Sequence, residues 1–152
     1  MTIGTFETPL GLNSPLLSGS IRAELREEGG VAPVTIIRAD QDWIVNLHWD
    51  FKGTLTPMIC GQWCIHLYAE SMGPGPELEL HPYDRPNYLK VNPCGNGEYY
   101  FPFEVEKGKV TAAHCSTPYK IIATVTLENE CDRPCPVAGF VELPVVQFYQ
   151  AK

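Results

Sequence analysis

The stretch "DWIVNLHWDFKG", residues 42–53, restricts this chain more than any other. Trp43, Val45, Leu47, Trp49 and Phe51 fall on one parity, and Ile44, Asn46, His48 and Asp50 on the other. Successive side chains of an extended strand point to opposite faces. Period-two alternation of this length therefore predicts a half-buried strand with one wet face. The aromatics on its inner face anchor a large core.

The same signature recurs along the chain. "EYYFPFEVEKGKV" (98–110) places Tyr99, Phe101, Phe103 and Val105 on one parity, and "YKIIATVTLENE" (119–130) does so with Tyr119, Ile121, Ala123, Val125 and Leu127. Pro102 has no N–H to give to a ladder, so it points to an edge strand or a bulge. "VTIIR" (34–38) is short and β-branched, and "GFVELPVVQFYQ" (139–150) reads as a last strand or pair interrupted at Pro144. Fourteen prolines and thirteen glycines, spread along the chain, favour many short elements over a few long helices. These features predict an all-β fold, an antiparallel β-sandwich of about seven to nine strands, immunoglobulin-like in outline. A length of 152 residues suits one domain, 1–152, able to bury its core without a disulfide or metal. Residues 1–33 mix turn residues with one alternation, "SIRAELRE", and read as an N-terminal strand or a docking arm.

"PMICGQWCIHLYAESMGPGPE" (57–77) admits two readings. As a strand it sets Trp63, Ile65, Leu67 and Ala69 on one side and Cys64, His66, Tyr68 and Glu70 on the other. As a helix it aligns Ile59, Cys60, Trp63, Cys64, Leu67, Tyr68 and Met72, with Thr56 as cap, Pro57 as first residue and Gly73-Pro74 as the stop. The strand is favoured. Trp, Ile, Tyr and Cys are weak helix formers, and every other periodic segment reads β. The preceding "FKGTLTP" is expected to turn the chain back into an antiparallel neighbour. The choice sets the chemistry. Residues four apart in a strand are about 13 Å apart. That is beyond the ~7 Å between Cα atoms that a disulfide spans, and beyond one shared zinc. Cys60 and Cys64 then serve structure. One helical turn would instead bring them within reach of a common metal.

The formal net charge of −7, from eleven basic and eighteen acidic residues, argues against nucleic acid and anionic membranes as partners. No run approaches the ~20 apolar residues of a membrane-spanning helix. The segment "MTIGTFETPLGLNSPLLSGS" has neither a basic start nor a continuous apolar stretch. A cytoplasmic location is expected, with export by a route lacking a cleaved signal left open.

Weaker constellations complete the survey. Cys94, Cys115, Cys131 and Cys135 lie in turn-rich links and form a weak zinc set, although their spacing matches no standard zinc pattern. Asp40, Asp42, Asp50 and Glu70 sit at strand ends and form a weak calcium set, without EF-hand spacing. His114-Cys115-Ser116 juxtaposes a base and nucleophiles in sequence, but adjacent strand side chains point apart. No GxSxG, HExxH or GxxxxGK motif occurs, and no cofactor is indicated.

Three Trp, seven Tyr and six Phe exceed what a small sandwich needs inside. Because neighbours alternate, some must face outward, and Tyr83, Tyr88, Tyr100, Phe148 and Tyr149 are the interface candidates. The functional expectation is a non-enzymatic protein-interaction or structural module, self-associating or part of a larger assembly. The alternatives are a small-ligand or carbohydrate-binding sandwich using exposed Trp and Tyr, and a cysteine- or metal-dependent enzyme.

Overall fold

Alternation in sequence becomes alternation in burial. Trp43, Val45, Leu47, Trp49 and Phe51 are all buried, while Ile44, Asn46, His48 and Asp50 between them are partly exposed. The computed structural model describes residues 1–11, 14–30, 34–73, 75–92, 94–112, 116–129, 131 and 133–150. Among these residues the strands are β1 (Thr2–Ile3), β2 (Thr5–Glu7), β3 (Ser18–Glu27), β4 (Ile36–Arg38), β5 (Trp43–Lys52), β6 (Gln62–Ser71), β7 (Glu77–Leu80), β8 (Tyr88–Lys90), β9 (Glu98–Val105), β10 (Thr117–Glu128), β11 (Pro134–Glu142) and β12 (Val146–Tyr149). The one helical element among them is a 3-10 turn at Thr56–Met58.

The smaller sheet has the order β1-β3-β5-β9, with every pair antiparallel. Pro102 lies on its edge strand β9, as its missing N–H requires. The larger sheet is built around β10. Strand β6 pairs along Tyr119–Glu128, while on the opposite side β11 pairs along Ile122–Glu128 and β12 along Thr117–Tyr119. Strands β7 and β8 share the far edge of β6, and β2 and β4 lie outside β11 and β12. Short strands thus fill ranks end to end: four ranks in the smaller sheet and five in the larger. This is a two-sheet β-sandwich, as expected, with two departures: the described residues form twelve strands rather than seven to nine, and the larger sheet is not wholly antiparallel. Strands β4 and β12 run parallel, so the larger sheet is mixed at that edge.

Two of the crossings between the sheets bear most on what meets what. "FKGTLTP" does not fold β6 back onto β5, because β3 and β9 already occupy both edges of β5. Instead Gly53, at φ 122°, turns the chain away and the Leu55 N–H donates to the Leu16 carbonyl at 2.9 Å. The 3-10 turn then delivers β6 to the other sheet against β10. The helical punctuation at Thr56 and Pro57 survives only as that turn. The second crossing is at Gly4, between β1 in one sheet and β2 in the other. Its N–H donates to the Ile21 carbonyl at 2.9 Å. A Cβ there would collide with the Phe140 carbonyl oxygen. Within residues 1–33, β1, β2 and all of the alternating "SIRAELRE" are therefore strands of the chain's own sheets.

Trp63 is the centre of the core, with no exposed surface. Its ring centroid lies 4.9 Å from Phe51, 5.5 Å from Tyr99, 5.8 Å from Trp49 and 6.1 Å from Phe6. A second aromatic group joins Trp43, Phe148 and Tyr119, at centroid distances of 5.4 and 5.5 Å from Phe148. The buried Tyr119 hydroxyl donates to the Thr111 carbonyl at 2.7 Å. Phe148 is 0% exposed, which corrects its place among the outward aromatics. Strand β12 turns Val146 and Phe148 inward and Gln147 outward. Burying such a ring stabilises the fold by roughly 1.5–3 kcal/mol.

Candidate functional site

The parity that buries Trp63, Ile65, Leu67 and Ala69 directs Cys64, His66, Tyr68 and Glu70 to the outer face of the larger sheet. Cross-strand register fixes their neighbours. Tyr88 on β8 stands opposite Cys64, with Thr126 on the other side. His66 lies opposite Thr124, which in turn pairs with Phe140. Tyr68 lies between Glu79 on β7 and Ile122 on β10. Tyr68, Tyr88 and Phe140 remain 38%, 46% and 48% exposed. The face thus carries an aromatic band separated by threonines.

A hydrogen-bonded chain crosses this band. His66 Nδ1 is 2.9 Å from Glu79 Oε1, and His66 Nε2 is 3.4 Å from Cys64 Sγ. An Nδ1–H donating to the carboxylate leaves the Nε2 lone pair facing the thiol. The imidazole also stacks on Tyr68, with centroids 6.1 Å apart and planes at 12°. Burial, followed by the nearby Glu128 carboxylate, pushes the Cys64 thiol above its ordinary pKa. Glu128 is itself held by Gln62 Nε2 at 3.3 Å. Burial and Glu79 likewise raise the Tyr68 hydroxyl. Nucleophile, base and carboxylate stand in line, as in a cysteine hydrolase. Yet a reactive thiol needs a lowered pKa, and this one is raised. Sequence parity already puts Cys64, His66 and Tyr68 on one face. Glu79 enters only through the β6–β7 register, which has no sequence signature.

The other expected residues are scattered. Tyr83 is exposed beside Glu28, Asp42, Glu104 and Glu106, and its N–H donates to the Glu104 carbonyl at 2.9 Å. Tyr100 lies on the outer face of the smaller sheet, its hydroxyl donating to Asn46 Oδ1 at 2.7 Å and its ring 4.6 Å from His48. Tyr149 is half-buried at the β12–β4 edge. Only Tyr88 of the five belongs to the band described above.

The carboxylates have separate partners. Asp40 accepts from Arg38 Nε at 3.0 Å and Nη2 at 2.8 Å, and this guanidinium holds its pKa below the usual carboxylate range. Asp42 accepts the Lys107 N–H at 2.6 Å. Asp50 accepts the Ser20 N–H at 3.0 Å, together with the Ser20 hydroxyl. Glu70 sits in the other sheet, in register with Lys120 and Glu77. The calcium set is therefore not assembled: β5 and β6 do not pair, and Asp50 and Glu70 lie on different sheets.

Cys60, Cys94 and Cys131 are free and exposed, Cys64 and Cys135 are free and half-buried, and His114 and Cys115 lie outside the described residues. Among the described residues, no three His, Cys, Asp or Glu side chains converge to hold a metal ion. Trp43, Trp49 and Trp63 are all buried, so no indole offers an outward face for a sugar. None of the described helices is long and apolar enough to cross a membrane.

No protein-family model matches the chain, and no curated protein matches it in sequence. The fold and this surface define its class as an all-β sandwich with an aromatic, thiol-bearing outer face.

Proposed function

We propose that this protein is a non-enzymatic interaction module that self-associates through the outer face of its larger sheet. The observation that carries this reading is the exposure of Tyr68, Tyr88 and Phe140 together on one sheet face. Aromatic side chains with a polar tip or an adaptable edge are enriched where proteins meet. Apolar groups on a sheet face lose their contact with water when a second surface covers them. The raised Cys64 thiol weighs against cysteine catalysis at the same place.

A second reading draws on the smaller sheet. Arg22, His48, Asp50, Asn96, Glu98 and Tyr100 line a depression of about 320 Å³, polar enough for a small hydroxylated ligand such as a sugar.

Light scattering over a concentration series tests the first reading. A defined oligomer is expected, and Phe140→Lys combined with Tyr68→Glu is expected to return it to monomer. A wild-type protein that stays monomeric at the highest concentration, with and without added divalent metal, overturns the reading. Titration with oligosaccharides, read by line broadening at Tyr100, tests the second.

A further inference from the structure

We propose that Cys64 and His66 are one half of a zinc site, completed by the same two residues of a second copy of this chain. Two thiolates and two imidazoles would then hold the ion across a face-to-face dimer. The inference rests on the self-association proposed above and gives it a mechanism.

The bite of the pair suits the ion. Zinc bound at ~2.3 Å to sulfur and ~2.0–2.1 Å to nitrogen in a tetrahedron sets those two atoms about 3.5 Å apart. Cys64 Sγ and His66 Nε2 are 3.4 Å apart. Little rearrangement is needed to receive the ion.

The histidine is held as a ligating imidazole would be. A metal-ligating imidazole almost always donates its other N–H to a carboxylate or carbonyl, which fixes the tautomer and raises the basicity of the ligating nitrogen. Glu79 occupies that position at 2.9 Å from Nδ1. Glu79 is thus a positioning residue for the ligand.

One chain supplies only half of such a site. Structural zinc takes four protein ligands, and no third donor converges here among the described residues. The pair lies on a sheet face, in the aromatic band rather than in a cleft. Packed sheets sit about 10 Å apart, so the midplane between two such faces is about 5 Å from each backbone. A cysteine or histidine side chain spans that distance to a shared ion.

Charge favours coupling the ion to association. On this face β6, β7, β8, β10 and β11 carry Glu70, Glu77, Glu79, Glu128 and Glu142 against Lys90 and Lys120. Two copies brought together without a cation repel, and a divalent ion between them offsets that repulsion. Each Cys64 S–H gives up its proton to solvent as the Zn–S bond forms, so two protons leave per ion bound, with no change of oxidation state.

The test uses the full chain, dialysed against chelator, and zinc alone as the probe. Calorimetry and light scattering run in parallel are expected to show one ion per two chains with a doubling of mass, reversed by chelator. Cobalt in place of zinc is expected to show tetrahedral absorption with thiolate charge transfer. Cys64→Ser and His66→Ala should each abolish uptake, and Glu79→Gln should weaken it about tenfold to a hundredfold. Circular dichroism checks that these outward-facing variants keep the fold. One ion per chain at unchanged mass overturns the shared site, as does zinc uptake that survives Cys64→Ser. Association of equal strength in chelator and in Cys64→Ser overturns the zinc role while leaving the interaction reading intact. A monomer that binds no zinc overturns both.

Discussion

Phe6 occupies the space that a side chain on Gly139 would need: a Cβ at Gly139 would lie 2.6 Å from Phe6 Cδ2. On the ring's other flank, a Cβ at Gly19 would meet Cδ1 at 2.8 Å. The ring is wedged between glycines of the two sheets, where it meets Phe51 edge-on at 5.0 Å. Gly139→Ala is expected to destabilise the protein by about 1–3 kcal/mol through overpacking. The Gly139→Ala, Phe6→Leu double variant should recover part of that loss. Urea unfolding midpoints of the two proteins check this.

Trp63 touches four aromatic rings, and its buried indole N–H has no hydrogen-bond partner among the described residues. Trp63→Ala is expected to cost about 3–5 kcal/mol through the cavity it leaves. Trp63→Phe should cost clearly less, since it retains much of the ring contact and removes an unpaired donor. Equilibrium unfolding of both variants, followed by circular dichroism, compares them directly.

Cys64 is held as a thiol by burial and by Glu128. Only the thiolate is nucleophilic, so at pH 7 iodoacetamide should label Cys64 more slowly than the exposed Cys60, Cys94 and Cys131. Glu128→Gln should speed the reaction, and the gap should narrow as pH rises toward the thiol's raised pKa. Mass spectrometry of the labelled peptides measures each rate. Labelling of Cys64 ahead of Cys60 at neutral pH would refute the assignment.

His48 has its pKa lowered by burial first and by Arg22 second, with Glu24 partly opposing. The unfolded chain therefore takes up a proton at this site at a pH where the native protein does not. Stability from this site is complete above the ordinary histidine pKa of about 6.5 and is lost as pH falls from there through the lower native value. The difference in Tm between wild type and His48→Gln should shift in favour of the variant between pH 7.5 and 5.5. A difference that does not change across this range would show that His48 titrates alike in both states.

Much of the architecture could be read from parity. Residues 43–51 and 119–127 keep an apolar side chain at every second position, and both are strands with the expected face buried. The 62–70 segment, readable as helix or strand, is strand β6. Pro102 sits on an edge, and Pro144 separates β11 from β12. Phe148 could not be placed this way. Parity groups it with Val146, but whether their face is covered depends on Trp43 and Tyr119 arriving from other strands. The approach of Glu79 to His66 was hidden for a related reason, since the β6–β7 register is a pairing of strands that the alternation within either one does not specify.

What residue order alone determined is the pleat: two side chains apart means the same face, a steric property of each extended segment. Tertiary structure decided which faces meet. The turns at Gly4 and Gly53 send consecutive strands to opposite sheets, and burial then rewards only pairings that enclose Trp63 and Phe148. Those pairings join residues far apart in the chain, and a local period carries no information about such partners.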